Sequence, residues 1–199
     1  MGKLDAKKKM KADSLLNTAF ELFTSKGISK TSISDIVDKA GVAKGTFYLY
    51  FKDKYDLRNK LISHKSSQLF ESASAALEKS GITDFDESFI FLIDHIIDDL
   101  DKNHSLLNFI SKNLSWGIFK NALITPSENS VDFYNVYIEL LKKSPYEFKQ
   151  PELMIFMIVE LVSSTCYSTI LYNEPVTLKE LKPYLNEAVL QIINMYKIK

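Results

Sequence analysis

Apolar residues recur at three- and four-residue steps along nearly the whole of the 199-residue chain. This spacing places them on one face of an α-helix, and no segment shows the strict alternation that a half-buried strand requires. Only 6 Gly and 5 Pro interrupt the pattern, which favours long helices over turn-rich sheets. We therefore predict an all-α fold.

The zero formal net charge hides a division of the chain into a basic and an acidic part. Residues 1–65 carry 14 Lys+Arg and 7 Asp+Glu, whereas residues 66–199 carry 11 and 18. Such asymmetry indicates a module that meets a polyanion, joined to a second module with another task. The single cysteine excludes a disulfide framework, and no secretion signal is recognisable, so we expect a cytoplasmic protein.

Three short helical segments near the N-terminus have the proportions of a helix-turn-helix unit. The first apolar stripe ends at Gly27, a second helix is predicted over about 33–40 and a third over about 43–50. Gly41 permits a sharp reversal between the last two because it lacks a Cβ. In such a unit the second helix of the pair enters the major groove of DNA.

A denser pattern occupies the chain from Thr31 to Leu57. Thr-Ser is followed by Ile-x-x-x-Ala-Gly-Val, then by Lys-Gly-Thr-Phe-Tyr-x-Tyr-Phe, then by Lys and Leu. On these residues the chain resembles the TetR/AcrR family of bacterial transcriptional regulators. The resemblance implies a homodimeric repressor with a helix-turn-helix DNA-binding domain over 1–50. It also implies a larger helical domain over 51–199, which dimerises and binds a small-molecule effector that releases the operator.

The resemblance also implies which residues contact phosphates. Carried over by position, these are Thr31, Ser32 and Lys44, with Lys54 at the start of the next helix. One position departs from the family pattern: Ala43 stands where a Ser or Thr often caps the third helix. Loss of an N-cap costs on the order of 1 kcal/mol.

The residues implied to read the DNA groove lie on the third helix. Gly45 would allow a close approach of the backbone, and Thr46 and Tyr48 would face the bases. The helical spacing leaves open whether Tyr50 faces the groove or the core. Arginine, the strongest reader of guanine, is absent from this helix, because Arg58 is the only arginine in the chain. Discrimination would then rest on lysine, threonine, tyrosine and DNA shape.

Two apolar segments near the C-terminus are predicted to form the dimer interface, about 151–173 and 178–197. The stretch from Leu153 to Tyr172 is long enough to span a membrane. We nevertheless expect no membrane span, because the carboxylate of Glu160 lies in its middle and is costly in a bilayer. A proline fits the first turn of a helix but not its interior, so we expect the last ordered helix to begin at Pro183.

Large aromatic residues are more numerous in the C-terminal domain than a four-helix core requires. A pocket between its helices is the expected binding site. Few lysines and no arginine lie within 85–175, so we predict a mostly apolar ligand of low charge. The alternative for each of these side chains is that it only fills the apolar core. For a cysteine on such an apolar helix, a buried and unreactive thiol is the usual expectation. The candidate residues are Phe109, Asn113, Trp116, Phe119, Tyr137, Cys166 and Tyr167.

Other functions find less support in the sequence. Asp94, His95 and Asp99 have helical spacing typical of metal ligands, but we interpret them as part of a solvated acidic face and predict no metal or cofactor. No phosphate loop, nucleophile elbow or zincin pair occurs, so we do not expect an enzyme. A helical protein-interaction scaffold without DNA binding is the remaining alternative. It would have to explain the basic segment, and the absence of salt-sensitive DNA binding would favour it.

Overall fold

The computed structural model describes residues 3–113 and 133–198, and it confirms the all-α prediction. Nine helices and two very short strands occur in these residues. The helices are α1 (Lys3–Lys26), α2 (Ile33–Ala40), α3 (Lys44–Tyr48), α4 (Lys54–Ser80), α5 (Phe85–Asp101), α6 (His104–Asn113), α7 (Phe133–Lys143), α8 (Pro151–Tyr172) and α9 (Leu178–Tyr196). The strands are β1 (Glu147–Phe148) and β2 (Lys197–Ile198).

The chain divides into two compact units, Met1–His64 and Lys65–Lys199. The division falls within α4, whereas the predicted domain boundary at residue 50 lies just after α3. In the N-terminal unit, α1 buries the apolar stripe that its sequence predicts, and the following helices supply the rest of the core. The buried apolar side chains among the described residues of this unit are Leu15, Leu16, Ala19, Phe23, Ile36, Val37, Phe47, Phe51, Leu57, Leu61 and Ile62.

The turn between α2 and α3 has the predicted sharp reversal. Gly41 adopts a left-handed conformation with φ 68°, and its N–H donates to the carbonyls of Val37 and Asp38. A residue with a Cβ is strained in this region, which explains glycine at this position.

Helix α3 is shorter than predicted, because it ends at Tyr48 instead of continuing to about residue 50. Its N-cap, Ala43, makes no side-chain hydrogen bond, as expected from the departure from the family pattern. At the other end, the N–H of Leu49 donates to the carbonyl of Thr46, a tighter turn than an α-helix has. Phe51 then enters the core, which requires the chain to leave the helix axis.

The C-terminal unit has its own apolar core, built from α5, α6, α7, α8 and α9. Helix α8 packs against α6 and α9. The two strands pair in antiparallel register, with Glu147 opposite Ile198 and Phe148 opposite Lys197. The periodicity of the sequence does not predict this pair, because two residues are too few to show alternation.

The expectation that the last helix begins at Pro183 is wrong. Helix α9 begins at Leu178, after a capping box in which Thr177 and Glu180 exchange hydrogen bonds between side chain and backbone. Pro183 lies inside the helix. The capping box satisfies the first backbone donors, and this outweighs the single hydrogen bond that proline cannot donate.

Helix α8 is long and apolar enough to span a membrane by length and composition, and a core helix of a soluble protein passes the same test. Within this chain, 33% of its apolar window is buried. The rest of this window is not buried within the chain.

Candidate nucleic-acid interface and apolar cavity

Helix α2 begins with a capping box between Ser32 and Asp35. The Oγ of Ser32 accepts from the N–H of Asp35 at 3.1 Å, and the Asp35 carboxylate accepts from the N–H of Ser32 at 2.8 Å. The ammonium of Lys26 also donates to Asp35, at 2.9 Å. These bonds, that from the Ser32 backbone first, lower the pKa of Asp35 to about 2. Ser32 is exposed, and its hydroxyl still has a proton to donate to an outside acceptor.

Thr31 and Lys54, both predicted to contact phosphates, hold the loop between α1 and α2 in the structure. The Thr31 side chain is 1% exposed, and its hydroxyl donates to the carbonyl of Gly27 at 2.8 Å. The Lys54 ammonium donates to the carbonyls of Ile28, Ser29 and Thr31 at 3.0, 3.3 and 3.1 Å. Since an ammonium has three N–H donors, the Lys54 side chain is fully engaged inside the protein.

Helix α3 presents one face to the core and the other to solvent. Phe47 is fully buried, while its neighbour Tyr48 is 54% exposed. Lys44 is exposed and has no hydrogen-bond or ion-pair partner among the described residues. A Cβ added at Gly45 would have no atom within 4 Å, and Thr46 is half-buried. Lys44, Gly45 and Tyr48 therefore form an open surface that we call the α3 face.

Tyr50 follows α3 and is not part of it. The residue is half-buried, its ring lies 6.2 Å from that of Phe51, and its carbonyl accepts from the Lys60 ammonium at 2.9 Å. On α4, Tyr55 is exposed, and the guanidinium of Arg58 lies 5.6 Å from its ring. The sequence pattern does not predict this aromatic–cation pair, since its two members lie beyond α2 and α3.

The C-terminal unit contains a cavity of about 140 Å³ between helices α4 to α8. Most of its lining is aliphatic or aromatic, and no charged side chain belongs to it in the part of the chain that the structure describes. The described lining residues that carry a polar group are Ser66, Ser111, Ser163, Tyr137 and Cys166. Such a space suits an apolar group without charge, because a buried charge requires a partner.

Two of the seven predicted ligand residues, Tyr137 and Cys166, line this cavity. The Tyr137 hydroxyl donates to the carbonyl of Pro151 at 2.6 Å. Phe109 is buried but does not line the cavity. Tyr167 is half-buried and donates to Asn108 at 3.2 Å. Trp116, Phe119 and the side chain of Asn113 lie outside the described residues.

The thiol of Cys166 is buried, and burial raises its pKa to about 11. It is therefore protonated at neutral pH, which makes it a poor nucleophile. Much of the remaining cavity wall is aliphatic, such as Ile93 and Ile97 of α5. Their spacing in the sequence does not predict ligand binding, since an aliphatic stripe on a helix is typical of a core.

The acidic cluster on α5 does not form a metal site among the residues that the structure describes. Asp94 lies 3.6 Å from the ammonium of Lys182. Ser72 contacts His95 Nε2 and Asp99, both at 3.1 Å. This is not the geometry of a hydrolytic triad, because Asp99 lies nearest to the same ring nitrogen that contacts the serine, at 3.6 Å.

The comparisons with known proteins agree with this description. Residues 15–61 match the model of the bacterial regulatory proteins of the tetR family. The chain is 39% identical over 93 residues to the uncharacterized HTH-type transcriptional regulator YvdT of Bacillus subtilis. The matched region covers 45% of this chain and 43% of that protein. The chain thus spans less than half the length of this curated relative.

Two solved structures share the fold along almost the whole chain. One is a Shewanella sp. PV-4 protein assigned to the TetR transcription-regulator family, with a TM-score of 0.69 and 18% identity, covering 95% of this chain and 99% of that one. The other is FadR of Bacillus subtilis in complex with stearoyl-CoA, with a TM-score of 0.65 and 20% identity, covering 90% and 98%. Residues 15–61 thus match the DNA-binding segment of the tetR family, and the fold of the whole chain is shared with a structure assigned to that family.

Proposed function

We propose that the chain is a cytoplasmic transcriptional regulator that binds operator DNA as a dimeric repressor. The observation that carries the proposal is the α3 face, which is open to solvent on a helix whose other side is anchored by Phe47. A capped α2, a glycine turn and a short second helix are the parts of a unit that reads the major groove.

We assign direct DNA contacts to some residues on and around the α3 face, and an indirect, positioning role to others. Lys44 and the hydroxyl of Ser32 contact phosphates, which supplies affinity, while Thr46 and Tyr48 meet base edges, which supplies specificity. Gly45 lets the helix backbone approach the DNA. Thr31 and Lys54 act indirectly by fixing the loop that presents Ser32, and Tyr50 lies beside the reading helix.

Dimerisation through α8 and α9 is supported by apolar side chains that one chain leaves exposed. Leu153 and Tyr172 on α8, with Tyr184 and Met195 on α9, belong to this group. A second copy of the chain would cover these side chains. It would also bury the exposed apolar surface of α8 in a protein interface instead of a membrane. A two-fold dimer binds a near-palindromic site with its reading helices about 34–36 Å apart.

The cavity of the C-terminal unit supports a small-molecule effector of mostly apolar character. FadR of Bacillus subtilis, which shares the fold, was solved with stearoyl-CoA, and an acyl chain has the chemistry of this cavity wall. To release DNA, the effector has to bind better to the conformation that does not span both half-sites, since only differential affinity shifts the equilibrium.

Selection from random duplexes, combined with sedimentation of the free protein, tests this proposal. We expect enrichment of a near-palindromic sequence and the mass of a dimer at micromolar concentration. A monomer that enriches no sequence would leave the protein without the proposed function and would favour a scaffold role.

A further inference from the structure

Helix α1 carries four consecutive or near-consecutive lysines, Lys7, Lys8, Lys9 and Lys11, which we call the lysine run. All four are exposed, and none has an ion-pair or hydrogen-bond partner among the described residues. Asp13 is the one acidic residue in the sequence from 6 to 20. The run is therefore a concentrated positive charge that the fold itself does not neutralise.

Part of the lysine run lies on the same face of α1 as residues that are buried further along the helix. Lys11 and Lys8 precede the fully buried Leu15 by four and seven residues, so they share its helix face. A helix that continued to pack against the core would carry apolar side chains there. Instead, the apolar stripe stops, and the helix continues as a charged extension beyond the core of its unit.

The extension lies toward the α3 end of α2. Lys26 pairs with Asp35 near the start of α2, and Glu21 pairs with Lys39 near its end, so the two helices run antiparallel. The end of α2 that leads to α3 is consequently nearer to the lysine run than its beginning is. At 1.5 Å per residue, Lys11 lies about 15 Å along the helix axis from Glu21.

We propose that the lysine run holds the phosphate backbone of DNA outside the groove that α3 reads. The inference rests on the proposed function, because it gives the same duplex a second set of contacts. Ammonium groups are compact point charges that suit phosphates without reading bases. The lysine run thus supplies affinity that does not depend on sequence and falls with salt.

The test compares two triple variants with the same loss of charge. One is Lys7→Gln, Lys8→Gln, Lys11→Gln, and the matched control is Lys143→Gln, Lys149→Gln, Lys179→Gln, three exposed lysines of the C-terminal unit. The slope of log K against log salt is measured on the selected duplex and on a scrambled one. Each phosphate contact that is lost lowers the magnitude of the slope by about 0.9.

We expect the α1 variant to lower the slope by about 3–4 for a dimer in which two lysines of each protomer contact phosphates. Affinity should fall at least tenfold on both duplexes, so that the ratio between them is kept. A slope equal to that of the control variant would overturn the inference while leaving the proposed function intact. Failure of the wild-type protein to bind either duplex would overturn both.

Ethylation interference keeps the inference testable if the triple variant does not fold. Wild-type binding should be blocked by ethylation of phosphates beyond those that the α3 face reaches, and the single variant Lys11→Gln should lose sensitivity at part of that outer set. Interference confined to the phosphates nearest the α3 face would contradict the assignment.

Discussion

The ammonium nitrogen of Lys54 lies 3.1 Å from the carbonyl oxygen of Thr31, 23 residues earlier in the chain. With two further bonds to Ile28 and Ser29, the first residue of α4 fixes the loop from which α2 begins. A residue implied by resemblance to contact DNA thus has its donors directed into the protein. We propose that Lys54 positions Ser32 and does not contact a phosphate itself, and the two roles differ in their effect on the salt dependence of DNA binding.

The first prediction concerns Lys54→Gln and its comparison variant Lys44→Gln. Removing the Lys54 ammonium takes one donor away from each of three carbonyls, of which that of Ile28 still accepts from the N–H of Thr31, so the free energy of unfolding should fall by about 1–2 kcal/mol. DNA affinity should fall, but the salt slope should stay at the wild-type value. Lys44→Gln should keep the stability and lower the slope by about 1.8 per dimer, which is one contact in each protomer. A slope for Lys54→Gln that falls like that of Lys44→Gln would make Lys54 a phosphate contact after all.

The second prediction concerns Gly45, a position where packing within the chain does not require glycine. A Cβ at this position meets nothing, and alanine favours the helix over glycine by roughly 0.5–1 kcal/mol. Gly45→Ala should therefore raise or maintain the thermal stability while weakening operator binding at least tenfold. Gly41→Ala is the control, because its φ of 68° makes alanine strained and should lower stability. Unchanged DNA affinity for Gly45→Ala would remove the close approach from the binding model.

Local features of this fold are predictable from sequence, whereas long-range ones are not. The Ser32–Asp35 capping box and the Gly41 reversal depend on residues a few positions apart, so their pattern is visible in the sequence. The hydrogen bonds of Lys54 are to backbone carbonyls more than twenty residues away. Because every residue has a carbonyl, the sequence does not indicate which ones accept these bonds. A pocket between the C-terminal helices is expected from the sequence, but most of the residues that line it are not, because an aliphatic wall has the periodicity of an ordinary core.

The third prediction concerns Tyr48, the exposed aromatic residue of α3. Its ring is nearly perpendicular to that of Phe47, with centroids 5.4 Å apart, and the residue is 54% exposed, so its hydroxyl can form a hydrogen bond with a base edge. Tyr48→Phe should keep stability and alter the preference among sequences in a selection from random duplexes. Leu49→Ala, at a residue that is 79% exposed, is the neighbouring control and should leave that preference unchanged. An equal loss of affinity on every sequence would make Tyr48 a packing or phosphate residue.

The fourth prediction uses the pH dependence of the capping box. Hydrogen bonds from Ser32 and Lys26 lower the pKa of Asp35 from 3.8 to about 2. A lowered pKa means that the contribution to stability is fully present above the unfolded value and is lost as the pH falls through the folded one. The difference in unfolding free energy between wild type and Asp35→Asn should be constant from about pH 5 to 7 and should shrink between about pH 4 and 2.

Asp38→Asn is the control for this measurement, since the Asp38 carboxylate has no hydrogen bond among the described residues. Its difference from wild type should not follow the same profile. If the two variants changed in parallel with pH, the capping box would not be the source of the acid sensitivity.

The fifth prediction concerns the charge of the effector. None of the described residues that line the cavity is a cation, so a carboxylate that entered it would lose its hydration without gaining a partner there. At neutral pH, 1-decanol should raise the melting temperature more than decanoate of the same chain length. At a hundred times its Kd, the alcohol should add about 2.7 kcal/mol to stability, and it should also release the selected operator.

A cavity-filling variant locates the binding site of the alcohol. Val162 lines the cavity and Val176 does not, so Val162→Phe should abolish the thermal shift and Val176→Phe should keep it. Alkylation of Cys166 gives an independent measurement. Its raised pKa of about 11 makes the reaction slow at neutral pH, and bound alcohol should slow it further, because the thiol is part of the same wall. A larger shift with decanoate than with decanol, unaffected by Val162→Phe, would place the effector at a charged site elsewhere on the C-terminal unit.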